Sequence, residues 1–209
     1  MGAVAHIRKY KQGYFYSDQF RGTMSWNGYE HNVLFRNDGT DADGRLQFTN
    51  VATALGADED REARGVAVAD FDNDGDLDIV INNNPGDSGD VSRGHAILLR
   101  NEIGERRSWI AVELIGTKSN REGVGALVTV EAGGKRQVGL ASAGSGYASE
   151  NGLRLYFGLG SAEQVDHVEV RWPSGHVDRF GVEPARRLLR ITEGGGVEVS
   201  SLPALKRNG

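Results

Sequence analysis

Five aspartates fall within nine residues of this chain: Asp70, Asp72, Asp74, Asp76 and Asp78, in the run ADFDNDGDLDIVINN. They are spaced by two, and Gly75 follows the third. Two carboxylates about 4 Å apart repel by roughly 1 kcal/mol in water and about 4 kcal/mol near a protein surface. Five cannot share a tight turn unless something cancels them. A hard divalent cation does so, and Ca2+ takes about 6–8 oxygen ligands in flexible geometry. Asp70, Asp72 and Asp74 converge if the chain coils here, and Gly75 permits the sharp turn that follows. The Asp76 carbonyl and the Asp78 side chain then complete the shell. The loop is not an EF-hand, because its twelfth position is Ile81 where a bidentate Glu is required. The competing reading is a solvated acidic turn whose aspartates bond their own backbone.

The elements around the loop must hold it in shape. Val66-Ala67-Val68 precedes it and Leu77 to Ile81 follows, so the pattern predicts strand, tight acidic loop, strand. In that setting the run resembles the calcium loop of FG-GAP/VCBS repeats, the blades of integrin-type β-propellers. An internal echo supports a repeat. Leu34-Phe35-Arg36-Asn37-Asp38 recurs as Leu98-Leu99-Arg100-Asn101-Glu102, with the loop and its strands in between. A propeller needs about 4–8 blades, and this chain holds little more than one. Three readings stay open: a piece of a longer protein, a blade packed on its own second half, or edges covered by a partner.

A second acidic loop, Asp38-Gly39-Thr40-Asp41-Ala42-Asp43-Gly44, lies between two strand candidates. Asp38, Asp41 and Asp43 either bind a second cation or serve as exposed turn residues; the turn reading is preferred. Residues 1–25 form an aromatic arm (Tyr10, Tyr14, Phe15, Tyr16, Phe20) with four basic residues. Packing on a neighbouring sheet suits that arm better than stacking on nucleic acid. The net charge of −5 also speaks against nucleic acid as a partner.

From Ser108 onward, short alternating strand candidates follow one another. Ile110, Val112 and Leu114 share a face, as do Val168, Val170 and Trp172, and Leu153, Leu155 and Phe157. Tight-turn signals such as Gly133-Gly134 and Pro173-Ser174-Gly175 separate them. The expected fold is all-β: a partial propeller-type blade with a calcium loop, then an antiparallel β-sandwich or barrel-like domain. The expected boundaries are an arm over 1–25, the blade over 26–105, the second domain over 106–200 and a frayed tail over 201–209.

This half carries its own resemblance. Trp109-Ile110, the run Gly116 to Ala126, Gly144 to Ser149, Phe157-Gly158-Leu159-Gly160 and Val170 to Gly175 together resemble the ASPIC/UnbV domain. That domain follows FG-GAP/VCBS repeats in the cartilage acidic protein family and its bacterial relatives. The resemblance implies a calcium-binding, mostly secreted protein concerned with adhesion or matrix contacts; some bacterial relatives are linked to enediyne biosynthesis.

Nothing in the chain reads as a catalytic centre. Ala143-Gly144-Ser145-Gly146-Tyr147 is not a nucleophile elbow, and Gly123-Val124-Gly125 lacks the third glycine of a dinucleotide fingerprint. The five histidines form no i, i+4 metal pair, and cysteine is absent. The remaining polar set is Ser119, Asn120 and Arg121 with Tyr147, Ser149 and Asn151. It is either a ligand patch, with Arg121 gripping a carboxylate or phosphate, or a structural knot that satisfies turns. The knot is preferred.

The functional expectation is a non-enzymatic, calcium-stabilised protein-binding or assembly module. The alternatives are an extrinsic subunit of a larger complex, membrane-associated or not, or an accessory protein of a biosynthetic cluster. No apolar run is long enough to span a membrane and the N-terminal stretch has no apolar signal region. The family resemblance nonetheless implies an extracellular or periplasmic setting.

Overall fold

The structure, a computed structural model, describes residues 31–59, 61, 63–83 and 94–203. The aromatic arm over 1–25 lies outside the described residues, as does the tail beyond 203. The chain is all-β, as its alternation predicts. Among the described residues it has strands β1 (Phe35–Thr40), β2 (Leu46–Asn50), β3 (Ala63–Ala69), β4 (Asp78–Asn83) and β5 (Ile97–Leu99). One short helix, α1 (Ala52–Leu55), follows β2 and ends on Gly56 in the left-handed conformation.

Ten further strands follow: β6 (Ser108–Ile115), β7 (Leu127–Ala132), β8 (Lys135–Leu140), β9 (Leu155–Gly160), β10 (Gln164–Val165), β11 (His167–Arg171), β12 (Val177–Phe180), β13 (Glu183–Pro184), β14 (Arg187–Thr192) and β15 (Gly196–Ser200). Eight of them build two four-stranded sheets, ordered β15-β14-β6-β9 and β12-β11-β7-β8, and β10 pairs separately with β13. The sheets share one apolar core. Ile110, Val112, Leu189 and Ile191 from the first face Val128, Val130, Val168 and Val170 from the second. The alternation seen in the sequence is therefore the inward face of a sandwich. Among the described residues no sheet closes into a barrel.

One pairing departs from the antiparallel expectation: β14 runs parallel to β6, from Arg187 opposite Ile110 to Thr192 opposite Ile115. Parallel neighbours need a long connection, and the whole second sheet is threaded between these two strands. Central strand β6 is buried on both faces. Trp109 and Ala111 point away from the main core and pack with Leu188 in a second apolar cluster, beside Tyr156 and Leu202.

The chain divides into two compact units, Met1–Gly65 with Ile81–Leu99, and Val66–Val80 with Arg100–Gly209. By its internal contacts the acidic loop groups with the second unit. In the first unit, β1 and β2 form a hairpin whose residues are all exposed. Asp41 Oδ1 accepts from the N–H of Asp43 and Arg45, while Asp38 pairs with Arg36 and Thr49. These aspartates act as turn residues here. The echo in the sequence is an echo in bonding. Arg36 pairs with Asp38 and Arg100 with Glu102, and Asn37 and Asn101 each accept the N–H two residues on.

Leu189 is fully buried in the main core. Leu189→Ala is expected to destabilise the folded state by about 2–5 kcal/mol. Chemical denaturation, read as a lower midpoint with unchanged slope, checks this.

Candidate functional site

The acidic loop joins β3 to β4. Its shape follows from carboxylates capping the loop's own backbone. Asp70 Oδ1 accepts the Asp74 N–H at 3.1 Å and Asp70 Oδ2 accepts the Gly75 N–H at 3.1 Å. Asp74 Oδ1 accepts the Asp76 N–H at 3.1 Å, and Asp78 Oδ2 reaches back to the Phe71 N–H at 3.0 Å. Asn73 takes the left-handed conformation, φ 57°, which Asn tolerates better than most residues. Gly75 lies at φ 103°, and a Cβ there would fall 2.0 Å from the Trp109 ring. Gly75 is therefore doubly required, for its backbone angle and for the ring beside it.

The coil brings three of the five aspartates together. Asp70, Asp72 and Asp78 each offer a carboxylate oxygen within 4.8 Å of the other two. Asp74 and Asp76 are not in that group. Asp74 caps the turn, and Asp76 is buried beside Gly104. Asp72 Oδ1 is buried with no hydrogen-bond partner, while its Oδ2 accepts from Arg100 Nη1 at 3.2 Å. Burial raises the Asp74 carboxyl to about 6, aided by the charges of Asp76, Asp72 and Asp70. A hard oxygen donor set with an orphaned buried oxygen and excess negative charge fits a divalent cation. These three aspartates could hold a metal ion.

Residues far along the chain fix this loop from outside. Tyr156 on β9 donates its hydroxyl to Asp70 Oδ2 at 2.8 Å. Arg154 Nη1 donates to Tyr156 Oη at 3.0 Å and to Asn73 Oδ1 at 3.1 Å. Burial and the Asp70 contact push the Tyr156 hydroxyl well above the usual phenol range, so it stays a donor. The Asn101 N–H binds Asp78 Oδ1 at 2.8 Å. None of these partners is visible in the local pattern of the loop. The nearest signal for Asn101 is its place in the repeat echo.

The second polar set does not gather at one point. Ser119 joins a knot around the buried Glu193. Glu193 Oε2 accepts the N–H of Thr117, Lys118 and Ser119, each at 2.8 Å. Its Oε1 accepts the hydroxyls of Ser119 and Ser174. Desolvation pushes the Glu193 carboxyl up, but the Ser119 N–H, the Ser174 hydroxyl and the Lys118 and Thr117 N–H outweigh it. The group titrates well below the usual carboxylate range. Asn120 clamps its turn by bonding both the N–H and the C=O of Val124. Asn151 Oδ1 accepts the Val68 N–H at 2.9 Å, and Gly152 N–H binds Val68 O, so this segment holds the strand entering the acidic loop. Ser149 bonds the Tyr147 carbonyl in a local turn, and Tyr147 is exposed. The Arg121 guanidinium is exposed and takes no part in the knot. Glu193 carried no sequence signal, because Thr117, Lys118 and Ser119 lie more than 70 residues away and Ser174 lies 19 away.

An acidic loop of this kind, set between strands and followed by a sandwich, defines a class. The FG-GAP-like repeat profile matches residues 20–81 and the ASPIC and UnbV profile matches residues 116–198. The chain carries an FG-GAP-like repeat followed by an ASPIC and UnbV domain. It is similar to Cartilage acidic protein 1 of Xenopus tropicalis, 28% identical over 162 residues, or 76% of this chain. The match spans 23% of that relative's length. Among the described residues no helix is long and apolar enough to cross a membrane.

Two outcomes test the site. Gly75→Ala is expected to lower the melting temperature and alter Trp109 fluorescence, since ring and backbone both resist a Cβ. Glu193→Gln is expected to lower the melting temperature by about 5 °C or more at neutral pH. A depressed carboxylate stabilises the fold above its ordinary value of 4.5 and loses that contribution as pH falls below it. The native protein should therefore weaken below about pH 4.5, and a thermal melt of the variant across the same range should weaken less.

Proposed function

We propose that this chain is a non-enzymatic protein-interaction module whose acidic loop is ordered by calcium. The observation that carries the reading is the convergence of Asp70, Asp72 and Asp78, with a buried Asp72 oxygen lacking any hydrogen-bond partner. Asp74 and the Asp76 carbonyl would complete the shell as the loop closes on the ion. Calcium suits the site better than magnesium, because a loop with several carboxylates and backbone oxygens offers many ligands in flexible geometry. The ion's part is structural. It cancels the repulsion that otherwise opposes the turn, and Tyr156, Arg154 and Asn101 hold the ligands in place for it.

The relative's name and the repeat type support an extracellular or periplasmic setting with a protein as partner. The exposed β1–β2 hairpin favours the same conclusion. Phe35, Leu46 and Phe48 are each more than half exposed, and apolar side chains gathered on one small hairpin are a common mark of a contact surface. A subunit of a larger complex would present the same surface, so assembly is the second reading. The accessory role in a biosynthetic cluster rests on the family resemblance alone.

Calcium is expected to raise the melting temperature. Stabilisation grows as RT ln(1 + [L]/Kd), about 2.7 kcal/mol at a hundredfold excess over Kd. Chelator should reverse it, and Asp72→Asn should abolish most of the effect. A melting temperature indifferent to calcium and chelator, with no heat in a calcium titration, would end the metal reading.

A further inference from the structure

A cleft of about 510 Å³ opens on the second unit, with Asp70 in its lining. Its walls divide by chemistry. Leu114, Ile115 and Leu153 are apolar, while Arg121, Arg154 and Glu122 bring charge. Two arginines of that lining have donors left over. Arg121 is exposed, and its guanidinium has no hydrogen-bond or ion-pair partner among the described residues. Arg154 commits Nη1 to Asn73 and Tyr156, but Nη2 makes no hydrogen bond, and Glu113 Oε2 lies 3.7 Å away. Glu113 is itself engaged by Arg190 at 3.0 Å.

Guanidinium N–H groups match a planar carboxylate, and the match is stronger where apolar walls exclude water. Asp70, Glu113 and Glu122 also line the cleft. Those negative charges weigh against a doubly charged phosphate and less against a single carboxylate. The apolar wall asks for a carbon chain beside the charged end. We propose that this cleft binds a singly charged carboxylate on an apolar stem, its oxygens facing Arg121 and Arg154 and its stem lying on Ile115 and Leu153. Such a group is found on a free aliphatic acid and at the C-terminus of a peptide ending in an apolar residue. The site goes beyond the interaction reading and does not depend on which ion fills the acidic loop.

The test uses the full chain in calcium-containing buffer, followed by isothermal titration and amide chemical-shift mapping. The probes are hexanoate, a short peptide ending in leucine, the same peptide as its C-terminal amide, and inorganic phosphate. Saturable binding of hexanoate or of the free-acid peptide is expected, with shifts at Arg121 and Leu153, and the tighter of the two identifies the source. Arg121→Ala should weaken that binding roughly tenfold or more without changing the melting temperature, since the side chain is exposed and unpaired. Arg121→Lys should recover only part of it, because the bidentate fork is lost. The proposal is overturned if neither carboxylate saturates, if the amide binds as well as the acid, if Arg121→Ala binds normally, or if phosphate binds more tightly than both.

Discussion

Three carboxylates held close together set the terms for this molecule. Asp70, Asp72 and Asp78 stand close enough to share an ion, and at such separations like charges oppose the fold. The backbone N–H groups of Phe71, Asp74, Gly75 and Asn101 and the Tyr156 hydroxyl offset part of that repulsion. Arg100 offsets more at Asp72. Asp72 Oδ1 is left buried with no hydrogen-bond partner, and a positive charge among the three carboxylates would satisfy it.

Glu193 shows the other way to bury a carboxylate. Three successive N–H groups and two hydroxyls surround it, and neutral dipoles alone hold its charge. The loop Thr117–Ser119 wraps the acid as a helix N-terminus or phosphate loop wraps an anion. One carboxylate can be satisfied by such a nest; three converging ones cannot. The contrast separates a carboxylate that the fold satisfies by itself from a cluster that could hold a metal ion.

Both devices depend on β6. Its inward residues Ile110, Val112 and Leu114 anchor the sandwich core, and its outward Trp109 lies against Gly75. A ligand loop seated on a buried central strand has fewer conformations to lose than one on a free hairpin. Pairing with β14 on one edge and β9 on the other makes β6 central, and an apolar cluster on each side of the sheet buries its two faces. The two ends of the repeat echo show a more local economy. Arg-Asn-Asp and Arg-Asn-Glu fold into the same ion pair and the same Asn turn, so a short stretch fixes its own geometry wherever it occurs.

The sequence by itself determined whatever repeats over a few residues. Alternation marked the inward faces of β6, β9 and β11, the two-residue spacing marked the aspartates, and Gly75 marked the turn. These signals are local, because side-chain direction in a strand and coiling in a loop are set by neighbouring residues. Tertiary structure alone decided which aspartates converge, and it left Asp74 to cap the turn. It brought Tyr156 and Arg154 to the loop, gave Ser119 to Glu193, and separated Arg121 from the residues grouped with it by motif. Each of those pairings joins residues more than 70 positions apart, and such contacts depend on sheet order and strand direction, which no short spacing encodes.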